Sequence, residues 1–167
     1  MSMLHIGDEC AFALADVFES GDGLTAKWRE LMIDEDRELL APNGVTVIRG
    51  QAPLELLLKS TSIQLPVCHV YCRKMQNDMR GKFNAVSGRA EVVVECTVSG
   101  VAVEELTKQT STAIAAITEM LAAQRGSWLS GAYYDGAWSV DVSPARLGGK
   151  QFLQSCRVAV ALDVRKA

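Results

Sequence analysis

Histidine is scarce in this chain: there are two, His5 and His69, in 167 residues. No Cys-X2-Cys and no His-X3-His pair occurs, so the common structural-zinc and zinc-hydrolase spacings are absent. The five cysteines, Cys10, Cys68, Cys72, Cys96 and Cys156, are odd in number and scattered, which points to reduced thiols in a cytosolic setting rather than a disulfide framework. Every apolar run is broken by charge well short of the ~20 residues that span a bilayer. The stretch Met1 to Cys10 has no basic segment and carries Asp8 and Glu9, so no secretory signal is expected. Neither sign of charge dominates. With 17 Lys and Arg against 20 Asp and Glu, the net charge of -3 gives no long-range pull toward nucleic acid or an anionic membrane. A membrane and sequence-specific nucleic acid are therefore not expected partners.

What is present is ordinary globular material, 49% hydrophobic. There is no repeat, low-complexity tract or linker, so residues 1–167 are expected to form one domain. Residues 1–50 read as mainly helical. Asp8 is a candidate cap for a run using Ala11, Leu14, Ala15, Val17 and Phe18, stopped by Gly21 and Gly23. A second helix is expected from Leu24 to Ile33. Pro42-Asn43-Gly44 signals a turn, Val45 to Ile48 a short strand, and Leu54 to Leu58 a short helix.

Ile63 to Arg73 reads as a strand with Cys68, Val70 and Cys72 on one face and Val67, His69, Tyr71 and Arg73 on the other. Lys74 to Gly88 is polar, a long loop or an extended hairpin tip. Arg89 to Val98 alternates strictly, with Ala90, Val92, Val94, Cys96 and Val98 inward. Leu106, Ala113, Ile114, Ile117 and Leu121 make a helical stripe, which predicts one long helix over Ala102 to Gln124, stopped by Gly126. Two strands follow, Gly131 to Val142 and Phe152 to Val164. The fold class is α+β: a mostly antiparallel sheet with the long helix and the N-terminal helices on one face.

The candidate chemistry is thin. Cys68 and Cys72 lie on one strand face but ~13 Å apart at a ~3.3 Å rise, too far to share a metal. His69 points to the opposite face, and an exposed strand histidine is the default reading. There is no Gly-X-Ser-X-Gly elbow, and Cys96 and Cys156 sit on apolar strand faces without a basic partner. Gly148-Gly149-Lys150 lacks the earlier glycine of a phosphate loop and leads into a strand, so it reads as a hairpin loop. No catalytic, metal or cofactor-binding residue is assigned, no cofactor is expected, and an enzyme is not.

Surfaces remain. The segment Arg73 to Arg89 carries Arg73, Lys74, Arg80, Lys82 and Arg89 against Asp78 alone, with Phe83 among them. A basic loop with apolar residues can grip an acidic partner, and long loops in compact domains tend to be functional or disordered. Glu91 and Glu95 share a strand face beside Arg89, and Arg157 faces outward from the last strand.

The order of these features is similar to that of phage tail-terminator proteins. An N-terminal helix leads to a strand entered through proline, Leu65-Pro66-Val67-Cys68-His69-Val70-Tyr71. A polar loop leads to the alternating strand Arg89 to Val98, and one helix, Ala102 to Gln124, is followed by two closing strands. The likeness spans residues 54–164; Leu24 to Gly50 has no counterpart. It implies a homo-oligomeric ring, usually a hexamer, assembled in the host cytoplasm and placed in the virion. There it would cap the tail tube and join it to neck or connector proteins of the head. Arg89, Glu91 and Glu95 on one strand, and Arg157 and Arg165 on another, would then bridge subunits. Two alternatives stand beside it. One is another head-tail connector or neck component. The other is a small dimeric ferredoxin-like ligand-binding domain or enzyme, with a closed pocket lined by Tyr134, Trp138 and His69.

Overall fold

A computed structural model of the chain describes residues 3–34, 44–59, 64–78, 86–129 and 131–166. The protein is α+β. Its elements run α1 (Met3–Glu19), α2 (Leu24–Asp34), β1 (Thr46–Arg49), α3 (Leu54–Lys59), β2 (Val67–Asn77), β3 (Val86–Gly100), α4 (Val103–Ala122), β4 (Gly126–Leu129), β5 (Ala132–Val142), β6 (Arg146–Gly148) and β7 (Gln151–Lys166). The strands form a curled sheet of order β1-β2-β3-β7-β5-β4, with β6 paired to the start of β7.

Alternation makes the central strands. On β3, Ala90, Val92, Val94, Cys96 and Val98 are buried on one face; the first four stand opposite Leu162, Val160, Val158 and Cys156 of β7, and Val164 continues the same buried face opposite Gly88. Helices cover that face: α1 packs on β1, β2 and β3, α4 packs on β3 and β7, and α2 packs on α4. Gly7 lets α1 approach β2, because a Cβ there would stand 2.5 Å from Cys72 Sγ. In α4 the threonines turn their hydroxyls back onto the helix. Thr110 and Thr112 donate to Leu106 O at 2.9 Å and Lys108 O at 3.0 Å, which lets both be buried. Glu105 accepts from the Val101 amide at 2.9 Å and closes the start of α4.

Several expectations change. The sheet is mixed, because β1 from the N-terminal region joins β2 in parallel. Helix is shared between α1, with 17 residues, and α4, with 20, rather than concentrated in one long element. Asp8 lies inside α1, not at its cap. Of the two readings of Lys74 to Gly88, the extended hairpin is the one found at its ends: Lys74 to Asn77 are paired with Gly88 to Glu91, and residues 78–85 lie between Asn77 and Val86. Of these, 79–85 lie outside the described residues, as do 42–43 of the expected turn. β4 and β6 were not expected. Both are short, and each gains its geometry from its neighbour: Trp128 of β4 stacks edge-on against Tyr134 with ring centroids 5.4 Å apart.

Trp28 of α2 is fully buried between the helical layer and the core, and its Nε1 has no acceptor among the described residues. Truncation to alanine is expected to cost about 3–5 kcal/mol in urea unfolding. Trp28→Phe should cost clearly less, because it keeps most of the apolar area and removes the unsatisfied donor.

Candidate functional site

The sheet face opposite the helices carries the charged residues. Four side-chain pairs are joined across it, two of them, Glu95–Arg157 and Arg89–Asp163, at directly facing positions of the ladder. Tyr71 donates to Glu95 Oε2 at 2.9 Å, and Arg157, opposite Glu95 on β7, donates to Glu95 Oε1 at 3.1 Å. Arg73 is ion-paired with Glu91, and Arg89 stands 3.6 Å from Asp163, its register partner. Burial, followed by the hydrogen bond to Glu95, pushes the Tyr71 phenol up to about 12, and Glu95 holds the Arg157 guanidinium above its usual value. Pairs this exposed are worth ~0–1 kcal/mol each. They set which side chain points where more than they hold the fold.

Two irregularities shape this face. In β2 the register slips between Cys72 and Lys74: Cys72 faces Val92 and Lys74 faces Glu91, leaving Arg73 as an extra residue. A bulge sets two neighbouring side chains on the same side, so Arg73 and Lys74 both line the helix-free face. In β5 the register slips between Tyr134, opposite Leu162, and Trp138, opposite Val160. The extra residues cluster at Gly136, whose φ of 98° suits glycine, and Asp135 Oδ1 accepts from the Ala137 amide at 2.8 Å. Arg125 packs so closely on Gly136 that a Cβ would meet its Nε at 2.1 Å.

Both bulges fall beside the same rung of the central ladder, Glu91 opposite Ala161. Bulged strands bend and twist more strongly. With the two strands that flank the central pair both bent at one rung, the sheet curls there and a groove of about 340 Å³ opens on the helix-free side. Its floor is small side chains, Ala159, Ala161, Ala137 and Ser139, and its rim holds Arg73, Lys74, Arg89 and Glu91. Lys74 has no ion-pair partner among the described residues.

Of the residues singled out from the sequence, Arg73, Lys74, Arg89 and Glu91 thus come together. Glu95 and Arg157 lie along the same face beyond the groove. Arg80, Lys82 and Phe83 fall outside the described residues. Of the residues expected to bridge subunits, Arg89, Glu91, Glu95 and Arg157 have partners within the chain. The sequence did not reveal the bulges: Cys72-Arg73-Lys74 contains no turn residue, whereas Asp135-Gly136 inside a strand was a readable signal.

His69 is not an exposed strand histidine. It is 4% exposed, with Nδ1 donating to Gly50 O at 3.2 Å and Nε2 buried without a partner among the described residues. It also lies on the face opposite Tyr134, which is buried under the helices, while Trp138 is 49% exposed. The pocket expected from Tyr134, Trp138 and His69 is therefore not formed. The edge of β5 from Trp138 to Val142 pairs only with β7 among the described residues, and Trp138 and Val142 are half exposed there. Gly149 and Lys150 make the turn between β6 and β7, with Gly148 paired to Gln151.

Cys68, Cys96 and Cys156 stand opposite one another on β2, β3 and β7, fully buried under the helices. Among the described residues no group of three or more His, Cys, Asp or Glu is placed to hold a metal ion. No protein-family model matches the chain, and no curated protein matches it.

Burial raises the thiols of Cys10, Cys72, Cys96 and Cys156. It pushes Cys10 from 9.0 up to about 12, and moves Cys96 and Cys156 upward in the same way. The fold's preference for neutral thiols is fully present below 9.0 and is lost as the pH climbs from there toward 12. Alkylation at pH 8 should therefore modify half-buried Cys72 first and leave the other four slow until the protein unfolds, and urea midpoints should fall as the pH is raised above 9.0. Rapid labelling of Cys10 or Cys156 in the folded protein would contradict this burial.

Proposed function

We propose that the protein is a structural assembly component of the phage tail-terminator kind. It acts as a homo-oligomeric ring of six that caps the tail tube and joins it to the head or neck, without a cofactor. The observation that carries this reading is the helix-free sheet face. One face of the sheet is covered by α1 and α4, and the other carries, among the described residues, a charged groove at the double bulge. A ring wall needs a stiff sheet with a surface free for a neighbour, and it needs no activated nucleophile. The succession of alternating strand β3, helix α4 and two long closing strands, β5 and β7, supports the resemblance of residues 54–164, with the short β4 and β6 added to that order. The open edge of β5, with Trp138 half exposed, adds a second surface that a solitary domain would normally shield.

The dimeric ligand-binding reading loses its pocket, since His69 and Tyr134 sit on opposite sides of the sheet.

Light scattering on a sizing column, with negative-stain images of the peak, tests the ring. The expected result is a particle of about six times the 18.1 kDa chain, ring-shaped in projection, that adds to the end of purified tail tubes. A two-fold dimer, or a monomer at every concentration with no binding to tubes, would overturn it.

A further inference from the structure

The groove has a complement on the other side of the same chain. α1 carries four acidic residues, Asp8, Glu9, Asp16 and Glu19, and neither lysine nor arginine. Its core side is Ile6, Cys10, Ala11, Leu14, Ala15 and Phe18, all buried. The outward side is a ridge at helical spacing, Asp8, Phe12 and Asp16, flanked by Glu9. Asp16 and Glu19 share one cation, Arg49, which leaves the three side chains with a net charge of one negative unit. Asp8 and Glu9 have no ion-pair partner among the described residues, and between them and Asp16 Phe12 stands 47% exposed. An aromatic ring ringed by carboxylates is an unusual thing to leave on a helix surface. It has the form of a knob with a charged collar.

The groove has the matching form. Its rim carries Arg73, Lys74 and Arg89 against Glu91, and its floor is built of alanines and a serine that leave room for a ring to enter. Its volume of about 340 Å³ is roughly ten times the ~30 Å³ share of a water molecule. In a chain of net charge -3 this basic rim is a local exception, so the surface that suits it best is an acidic one. The geometry points to a second copy of this chain as the occupant: the Asp8–Phe12–Asp16 ridge of one subunit seats in the Arg73–Lys74–Arg89 groove of the next. Phe12 enters over Ala159 and Ala161, and Asp8 and Glu9 meet Lys74.

The placement of the two surfaces sets the symmetry. α1 packs on β2 on the helix side, with Gly7 against Cys72 and Met75, and the β2 bulge opens to the opposite side. Ridge and groove therefore lie back to back across the sheet. One chain cannot satisfy its own groove, and two chains cannot satisfy both grooves reciprocally. The contact is head-to-tail and repeats from copy to copy, closing into a ring or running on as a filament. This rests on the ring reading and names its interface.

The test uses the full chain and three variants: Lys74→Glu, the pair Asp8→Lys with Glu9→Lys, and all three changes together. Sedimentation over a concentration and salt series reads assembly, and a thermal melt confirms the fold, since all three sites are exposed. Each one-sided reversal should weaken assembly about tenfold or more, and the combined variant should recover to within about threefold of wild type. Phe12→Ser should weaken assembly without changing its salt dependence. If the wild type is monomeric throughout, both the ring and this interface fall. If it assembles, but reversals leave the particle unchanged or the combined variant shows no recovery, only this interface falls. In that case Trp138→Glu on the open β5 edge should be the change that dissolves the particle. A wild-type two-fold dimer would also overturn the head-to-tail contact.

Discussion

All fifteen residues of β3 pair with β7, from Val86 opposite Lys166 to Gly100 opposite Phe152. The rest of the molecule hangs on this antiparallel ladder. β2 is added on one side and β5 on the other, and α1 and α4 lie across the apolar face that the ladder presents. The ladder is regular along its whole length. Its neighbours are not: both flanking strands, β2 and β5, carry extra residues beside the rung of Glu91 and Ala161. A straight central pair with two strands bent at the same level cannot stay flat. The curl of the sheet, and the groove it opens, follow from that mismatch in length.

The two faces of the sheet are held by different physics. Under the helices, valines, cysteines and Leu162 are packed with full burial, and the stabilisation scales with the apolar area removed from water. On the other face Val93, Thr97 and Ser155 are buried as well. Tyr71 and Arg157 reach Glu95 from either side, and Thr97 Oγ1 lies 2.8 Å from Ser155 Oγ. Long polar side chains thus close the centre of this face, while at the Glu91–Ala161 rung the side chains shrink to alanine and serine. The groove is where that cover stops. Function is assigned to it because it joins free charge, open volume and a rigid floor in one place.

Much of this was legible from the residues alone. The alternation of Arg89 to Val98 located β3 and its inward face, and the stripe from Leu106 to Leu121 located α4, because burial on one side imposes its period on the sequence. Basic residues at Arg73, Lys74 and Arg89 were readable as a group. Their convergence was not. It depends on a bulge at Arg73 that is decided by how β2 registers on β3, a contact between segments that local propensity does not encode. His69 shows the same limit from another side. Its face followed from alternation, but its burial follows from the curvature of the sheet and the approach of Gly50. β1 joined in parallel was hidden for a similar reason, since four residues, Thr46 to Arg49, carry too little pattern to declare a partner.

In the proposed assembly, the helix-free face at the double bulge is the surface that a neighbouring copy covers. Hydrogen exchange compared between dilute and assembled protein reads this residue by residue. Amides of Arg73 to Asn77 and of Asp135 to Ser139 should gain protection on assembly, together with those of α1 around Phe12. Protection confined to other segments, with these amides exchanging equally in both states, would contradict the account.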